Sequence, residues 1–146
     1  MVEDASLDRL NKCLETLHFA FRGLVAEPDS ILKSQGLSRI HHRLLFFIGR
    51  NPALSVNELV ESMRLTKQAI HKPLKSLVEK DLVAVTRDAS DKRVKRLALT
   101  EQGTALESRL TGIQRELLTH AFDEVGEEGA DAWFRVMETM ARRLGV

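Results

Sequence analysis

From Leu7 onward the apolar residues Leu7, Leu10, Leu14, Leu17, Phe21 and Leu24 recur in steps of three and four, and this stripe predicts an amphipathic helix over about residues 6–26. Pro28, Asp29, Ser30 and Gly36 then predict a loop with room for a single helical turn. A second helix, over residues 38–50, carries Ile40, Leu44, Leu45, Phe47 and Ile48, and Asn51 and Pro52 end it. Ser55 and Glu58 stand at capping-box spacing, and Val56, Leu59, Val60 and Met63 follow at i, i+3, i+4, i+7, which predicts a short helix over 55–62. Thr66 is placed to cap another helix, with Ile70, Leu74, Leu77 and Val78 inward and Lys67, Gln68, His71, Lys72 and Lys75 outward. Two short helices joined by a tight turn, the second with a basic outer face, form a helix-turn-helix.

The period then changes. Residues 82–87 are rich in Val and Thr, and residues 94–100 set Lys95, Leu97 and Leu99 against Arg96 and Ala98, so both stretches predict short strands. DASDK, between them, becomes the tip of a hairpin, and a hairpin directly after a helix-turn-helix is a wing. Thr100 caps a long helix carrying Leu106, Leu110, Ile113, Leu117 and Ala121, and Gly126 and Gly129 interrupt it. A last helix holds Trp133, Phe134, Met137, Met140, Ala141 and Leu144. Those groups are too large and too many for a terminal helix to leave in water, so the first helix and the last two are expected to build a homodimer. The expected fold is mainly α with a small β-hairpin wing: one unit over 1–146, with a winged helix-turn-helix lobe at 38–100 and helical dimerisation regions at 1–37 and 101–146.

Composition narrows the class. A chain of 146 residues can bury a core without disulfides, and its single cysteine, Cys13, has no internal partner. The start MVEDASLDRL has neither a basic run nor an apolar run suited to export, and LLFFIG is too short to cross a bilayer, so a cytoplasmic protein away from membranes is expected. Net charge is only +1, but it is segregated: residues 64–96 hold ten Lys or Arg against four Asp or Glu, a net of +6, leaving −5 on the other 113 residues. An acidic body with one basic region meets a polyanion in a single orientation.

The stretches LTKQAIHKPLKSLVEKDLV (65–83) and RDASDKRVKRLALTEQG (87–103) resemble the MarR family of bacterial winged-helix transcriptional regulators. Asp91 and Arg93 match its D-x-R wing signature. Leu99, Thr100 and Gly103 match the L-T-x-x-G that closes the wing and opens the next helix. The likeness runs over nearly the whole chain in length and order of elements, with two departures. Pro73 stands inside the recognition helix, where it removes a hydrogen bond and is expected to kink the axis. Asp81 takes the helix-ending position where the family usually has glycine, and Asp tolerates the left-handed conformation better than most residues.

The chemistry fits a double-stranded DNA operator, pseudo-palindromic because a two-fold dimer presents two recognition helices. Lys72, Lys75, Arg87, Lys92, Lys95 and Arg96 are suited to phosphate, whereas Gln68 can pair with adenine and Lys67, His71 or Lys72 can donate to guanine. Thr66, at the helix start, belongs to the same face. The resemblance implies that Arg93 enters the minor groove and that Asp91 steadies it. It also implies a repressor released by a small aromatic effector, bound in a cleft near Phe21, His41, His42 and Phe46. The ordinary reading of His41 and His42 is a solvent-facing pair with one side partly buried.

Enzymatic readings find little support. His18, His41, His42, His71 and His120 include no i, i+4 pair, and no glycine-rich phosphate loop is present, so no catalytic group, metal or cofactor is expected. Two alternatives remain open. One is a redox-sensing repressor of the same fold acting through Cys13, which lacks any tyrosine to activate it and adjoins the apolar stripe, where a buried, inert thiol is usual. The other is a winged-helix module that binds protein, against which the charge segregation speaks.

Overall fold

The computed structural model describes residues 2–146; Met1, where the expected N-terminal helical region begins, lies outside them. The elements are α1 (Val2–Ser34), α2 (Arg39–Arg50), α3 (Val56–Met63), α4 (Lys67–Glu79), β1 (Val83–Arg87), β2 (Lys95–Leu99) and α5 (Glu101–Ala141), closed by a 3-10 turn at Arg142–Leu144. This is the mainly helical winged helix-turn-helix that the sequence leads one to expect.

The loop expected around Pro28 is not there, because α1 continues through it to Ser34. A proline inside a helix leaves the carbonyl four residues earlier without a donor. That carbonyl belongs to Leu24, and the Gln114 side chain of α5 donates to it at 3.3 Å. The helix stops at Gly36, whose φ of +72° suits glycine, with Leu37 N–H closing onto the Leu32 carbonyl at 2.9 Å. Side chains cap the next helices: Ser55 Oγ accepts from Glu58 N–H at 3.1 Å, Thr66 Oγ1 from Ala69 N–H at 3.1 Å, and Thr100 Oγ1 from Gly103 N–H at 3.0 Å. Helix α4 runs through Pro73, and Asp81 beyond it takes the left-handed conformation at φ +59°.

β1 and β2 pair antiparallel, with Val83 opposite Leu99 and Arg87 opposite Lys95. The segment before α3 adds a third rung: Ala53 N–H donates to the Leu97 carbonyl at 3.1 Å and Leu97 N–H to the Leu54 carbonyl at 2.9 Å. Leu44, Leu45, Ile48, Leu59, Ile70, Leu77, Leu97 and Leu110 form the centre of the core that this arrangement closes. Thr100 and Gly103 seat α5 on it. Thr100 Oγ1 donates to the Asp81 carbonyl at 2.6 Å, and a Cβ at Gly103 would run into the Leu82 carbonyl oxygen, so only glycine lets the helix approach so closely.

Away from the lobe the packing thins, although Phe122 and Trp133 meet edge to face at 5.4 Å and Arg64 donates to the Gly145 carbonyl at 3.2 Å. Residues 3–23 of α1 are all exposed, and α5 buries Leu106 and Leu110 but leaves Leu117 and Ala121 in solvent. Gly126, at φ +75° and ψ 178°, breaks α5 into two legs; Gly129, expected to interrupt the helix as well, remains helical. Beyond the break Trp133, Phe134 and Met140 are exposed too.

Candidate nucleic-acid interface

The outer face of α4 carries Lys67, Gln68, His71, Lys72 and Lys75, all exposed, with Thr66 at its start occupied as the cap. Ile70 and Leu77 fill the inner face, Leu74 is half-buried, and Val78, expected in the core, is exposed. Val78 instead faces a groove of about 660 Å³ between α4 and the wing, along which Ile70, Leu74 and Leu97 also lie and which Lys95 and Arg93 border. Lys75 keeps a loose pair with Glu79 at 4.0 Å, as exposed i, i+4 helix charges do.

At the wing tip the Asp91 carboxylate accepts from Arg93 three times: from Nε at 3.1 Å, from Nη2 at 3.2 Å and from the backbone N–H at 3.1 Å. The Arg93 side chain is nevertheless 91% exposed, so its fork is oriented while its outer edge faces solvent. The guanidinium bond is the main reason that the Asp91 carboxyl titrates below its ordinary value. Asp88 organises the tip from the other side. Its Oδ2 accepts from the N–H groups of Ser90 and Asp91 at 3.0 and 2.9 Å, which holds its own carboxyl low. Arg87 donates to the Lys92 carbonyl at 3.0 Å, so this strand cation braces the hairpin, while Lys92 and Lys95 stay exposed. Arg96 is not a free phosphate ligand either: Asp88 and Glu58 both hold it.

The residues expected around an effector are not gathered in one place. Phe21 lies under the Arg39 guanidinium at 5.3 Å, and Arg39 is held by Asp29. His41 belongs to the α2 cap, its Nδ1 accepting from Ser38 N–H at 3.0 Å. His42 is buried rather than solvent-facing, with Nε2 3.1 Å from Thr111 Oγ1 on α5. Phe46 is covered by the Arg50 guanidinium at 3.5 Å, and Arg50 reaches Glu107 at 2.9 Å. His42 and Arg50 thus meet Thr111 and Glu107 along one α2–α5 seam, with Phe46 under the Arg50 guanidinium. Burial lowers the His42 pKa, as it does that of His41. The other carboxylate oxygen of Glu107, Oε2, is buried without a hydrogen-bond partner.

Residues 35–94 match the model of the MarR family. The chain is 36% identical, over 133 residues, to the HTH-type transcriptional regulator PetP of Rhodobacter capsulatus, a match that spans 91% of this chain and 80% of that one. The chain belongs to the MarR family. Among solved structures, Streptococcus pneumoniae FabT in complex with DNA superposes with a TM-score of 0.79 at 18% identity, over 95% of this chain and 97% of that one. The MepR–DNA complex of S. aureus gives 0.71 at 19% identity, over 88% and 96%. At those identities the likeness is one of fold.

In this MarR-family chain the two motifs have physical content. D-x-R is a pre-formed fork at the hairpin tip, and L-T-x-x-G is a helix cap plus a close backbone contact. Three residues here escaped the sequence reading: Asp88 as the organiser of the tip, Gln114 as the patch for Pro28, and Glu107 in the seam. Only Asp88 left a signal, an Asp two residues ahead of a turn. Cys13, expected to be buried beside the stripe, is exposed on α1. Among the described residues no cluster of three or more His, Cys, Asp or Glu could hold a metal, and no helix is long and apolar enough to cross a membrane.

Proposed function

We propose that the protein is a homodimeric, sequence-specific DNA-binding repressor whose α4 reads the major groove while Arg93 of the wing enters the adjacent minor groove. The observation that carries this is the single groove bordered by both basic elements, with Lys67, His71 and Lys75 from α4 and Arg93 and Lys95 from the wing. Phosphate contacts then fall to Lys72, Lys75, Lys92 and Lys95, and base contacts to Lys67, Gln68 and His71. The lobe at 38–100 is the reading head. The exposed stripes of α1 and of both legs of α5, within 1–37 and 101–146, supply the dimer interface and so a pseudo-palindromic operator. That PetP is a transcriptional regulator and that FabT and MepR were solved with DNA support the same reading.

A small-molecule effector acts on this dimer at the α2–α5 seam, beside His42 and Phe46, with Phe21 and His41 engaged elsewhere. The α2–α5 seam supports it, since a shift there reorients the lobe against the arms. No catalytic reaction is assigned to the protein.

Selection of duplexes from a random pool tests the function. The expected result is an inverted repeat with half-sites about one helical turn apart, bound with a steep fall in affinity as salt rises. Absence of any enriched sequence, with no duplex binding at low salt, overturns it.

A further inference from the structure

Arg96 counts among the cations of the wing, yet its guanidinium is already committed. Nε donates to Asp88 Oδ1 at 3.2 Å, and Nη1 donates to Glu58 Oε1 at 3.1 Å and lies 3.4 Å from the Ala53 carbonyl. Its side chain is 33% exposed, against 91% for Arg93 three residues earlier. Each partner is fixed from another direction. Asp88 holds the backbone of the wing tip through Ser90 and Asp91. Glu58 lies in the first turn of α3, where its N–H is bonded to the Ser55 cap, and Ser55 itself bridges to Arg96 across the third rung of the sheet. The wing tip, the start of α3 and the segment before it therefore converge on one planar cation.

A two-stranded hairpin has little rigidity of its own. Main-chain pairing fixes this wing near Leu97, but from β2 outward something else must hold its angle. A guanidinium can serve two carboxylates in fixed directions, which a lysine ammonium cannot reproduce. We propose that Arg96, with Asp88 and Glu58, is the positioning device that sets the stand-off of the wing from the helix-turn-helix, so that Arg93 meets the minor groove in register with α4. Arg96 is then not a phosphate contact. The inference rests on the DNA-binding reading above. It also gives Glu58, an acid on the helix-turn-helix, a reason to be there.

The test uses the full chain and two duplexes: the one selected by the native protein, and the same duplex with its A·T-rich flanks replaced by G·C pairs. Affinity for both is measured over a series of salt concentrations for Arg96→Lys, Arg96→Ala, Glu58→Gln and Lys95→Ala. Positioning predicts that Arg96→Lys and Glu58→Gln each reduce the preference for A·T flanks by roughly tenfold. Loss of Arg96 is expected to leave the salt slope unchanged, whereas Lys95→Ala lowers it by about 1. Glu58→Gln is decisive on sign, because removing an acid near DNA tightens binding if only charge matters. Tighter binding by Glu58→Gln with flank preference intact overturns the proposal. So does an Arg96→Ala salt slope reduced as much as that of Lys95→Ala. If Arg96→Ala fails to fold, Arg96→Lys and Glu58→Gln decide alone. Failure of the native protein to select any duplex removes the DNA reading itself, a result distinct from either of these.

Discussion

The lobe and the helical arms put the same residue type, on helices in both cases, to opposite ends. Leu44, Leu45 and Leu59 are fully buried, while Leu7, Leu10 and Leu14 on α1 are 57%, 58% and 66% exposed. Both sets follow helical periodicity, and both look like core in the sequence. What differs is neighbours: α2, α3 and α4 are short, closely linked and folded onto a hairpin, whereas the outer part of α1 is exposed throughout and the far leg of α5 meets the chain only sparsely, at Phe122–Trp133 and Arg64–Gly145 among the described residues. Periodicity identifies which face of a helix wants cover. It is silent on whether the cover comes from the same chain.

The largest effect is expected inside the lobe. Leu45→Ala removes a fully buried side chain from the centre of the core and is expected to cost about 2–5 kcal/mol of stability, read from denaturant midpoints of native protein and variant at one matched protein concentration. An arm substitution sharpens the contrast. Leu10→Glu with Leu14→Glu is expected to leave the lobe folded, yet to give a monomer by sedimentation and to abolish any rise of melting temperature with concentration. Native protein that sediments as a monomer at tens of micromolar would break the comparison, leaving the stripes as mere exposed surface.

The smallest effect concerns pH, and within the lobe the wing and the seam with α5 differ. Glu58, Asp88 and Asp91 titrate below their ordinary values, through the Ser55 hydroxyl, the Asp91 and Ser90 amides and the Arg93 guanidinium respectively. A depressed carboxyl contributes fully above its unfolded value, about 4, and loses that contribution as pH falls through the folded one, so wing order is expected to stay flat from pH 8 to about 5. His42 behaves differently, because burial favours its neutral form. Below about pH 6.5 the unfolded chain takes up the proton more readily than the folded one, so stability at the α2–α5 seam falls first. His41 has the same sign. Urea midpoints for native protein and His42→Gln between pH 8 and 5 measure this; a native midpoint that does not fall, or the same fall in the variant, removes His42 as its source.

What the sequence reveals here is local. Ser55, Thr66 and Thr100 announce caps because a hydroxyl two or three residues from a bare amide needs nothing else. The wing followed from a change of period, and Asp81 took the left-handed position it was suited to. What stayed hidden depends on distant partners. The continuity of α1 through Pro28 needs Gln114, 90 positions from the carbonyl it serves. Arg96 looks like Lys95 in a charge count, although strand parity already placed the two on opposite faces. His42 was hidden for a third reason, since only the fold brings Thr111 beside it.

The seat of α5 has a mechanical consequence. Thr100 and Gly103 clamp the first turn onto the backbone of Asp81 and Leu82, and the leg then runs to Val125 before the break at Gly126. There is no slack at the clamp, since a Cβ would not fit between helix and strand. From Gly103 to Val125 the leg is about 33 Å long, so a tilt of about 6° at the clamp moves its far end by about 3 Å. The helix is thus a lever with a glycine fulcrum, and a displacement at the tip of one arm arrives at the reading head as a rotation.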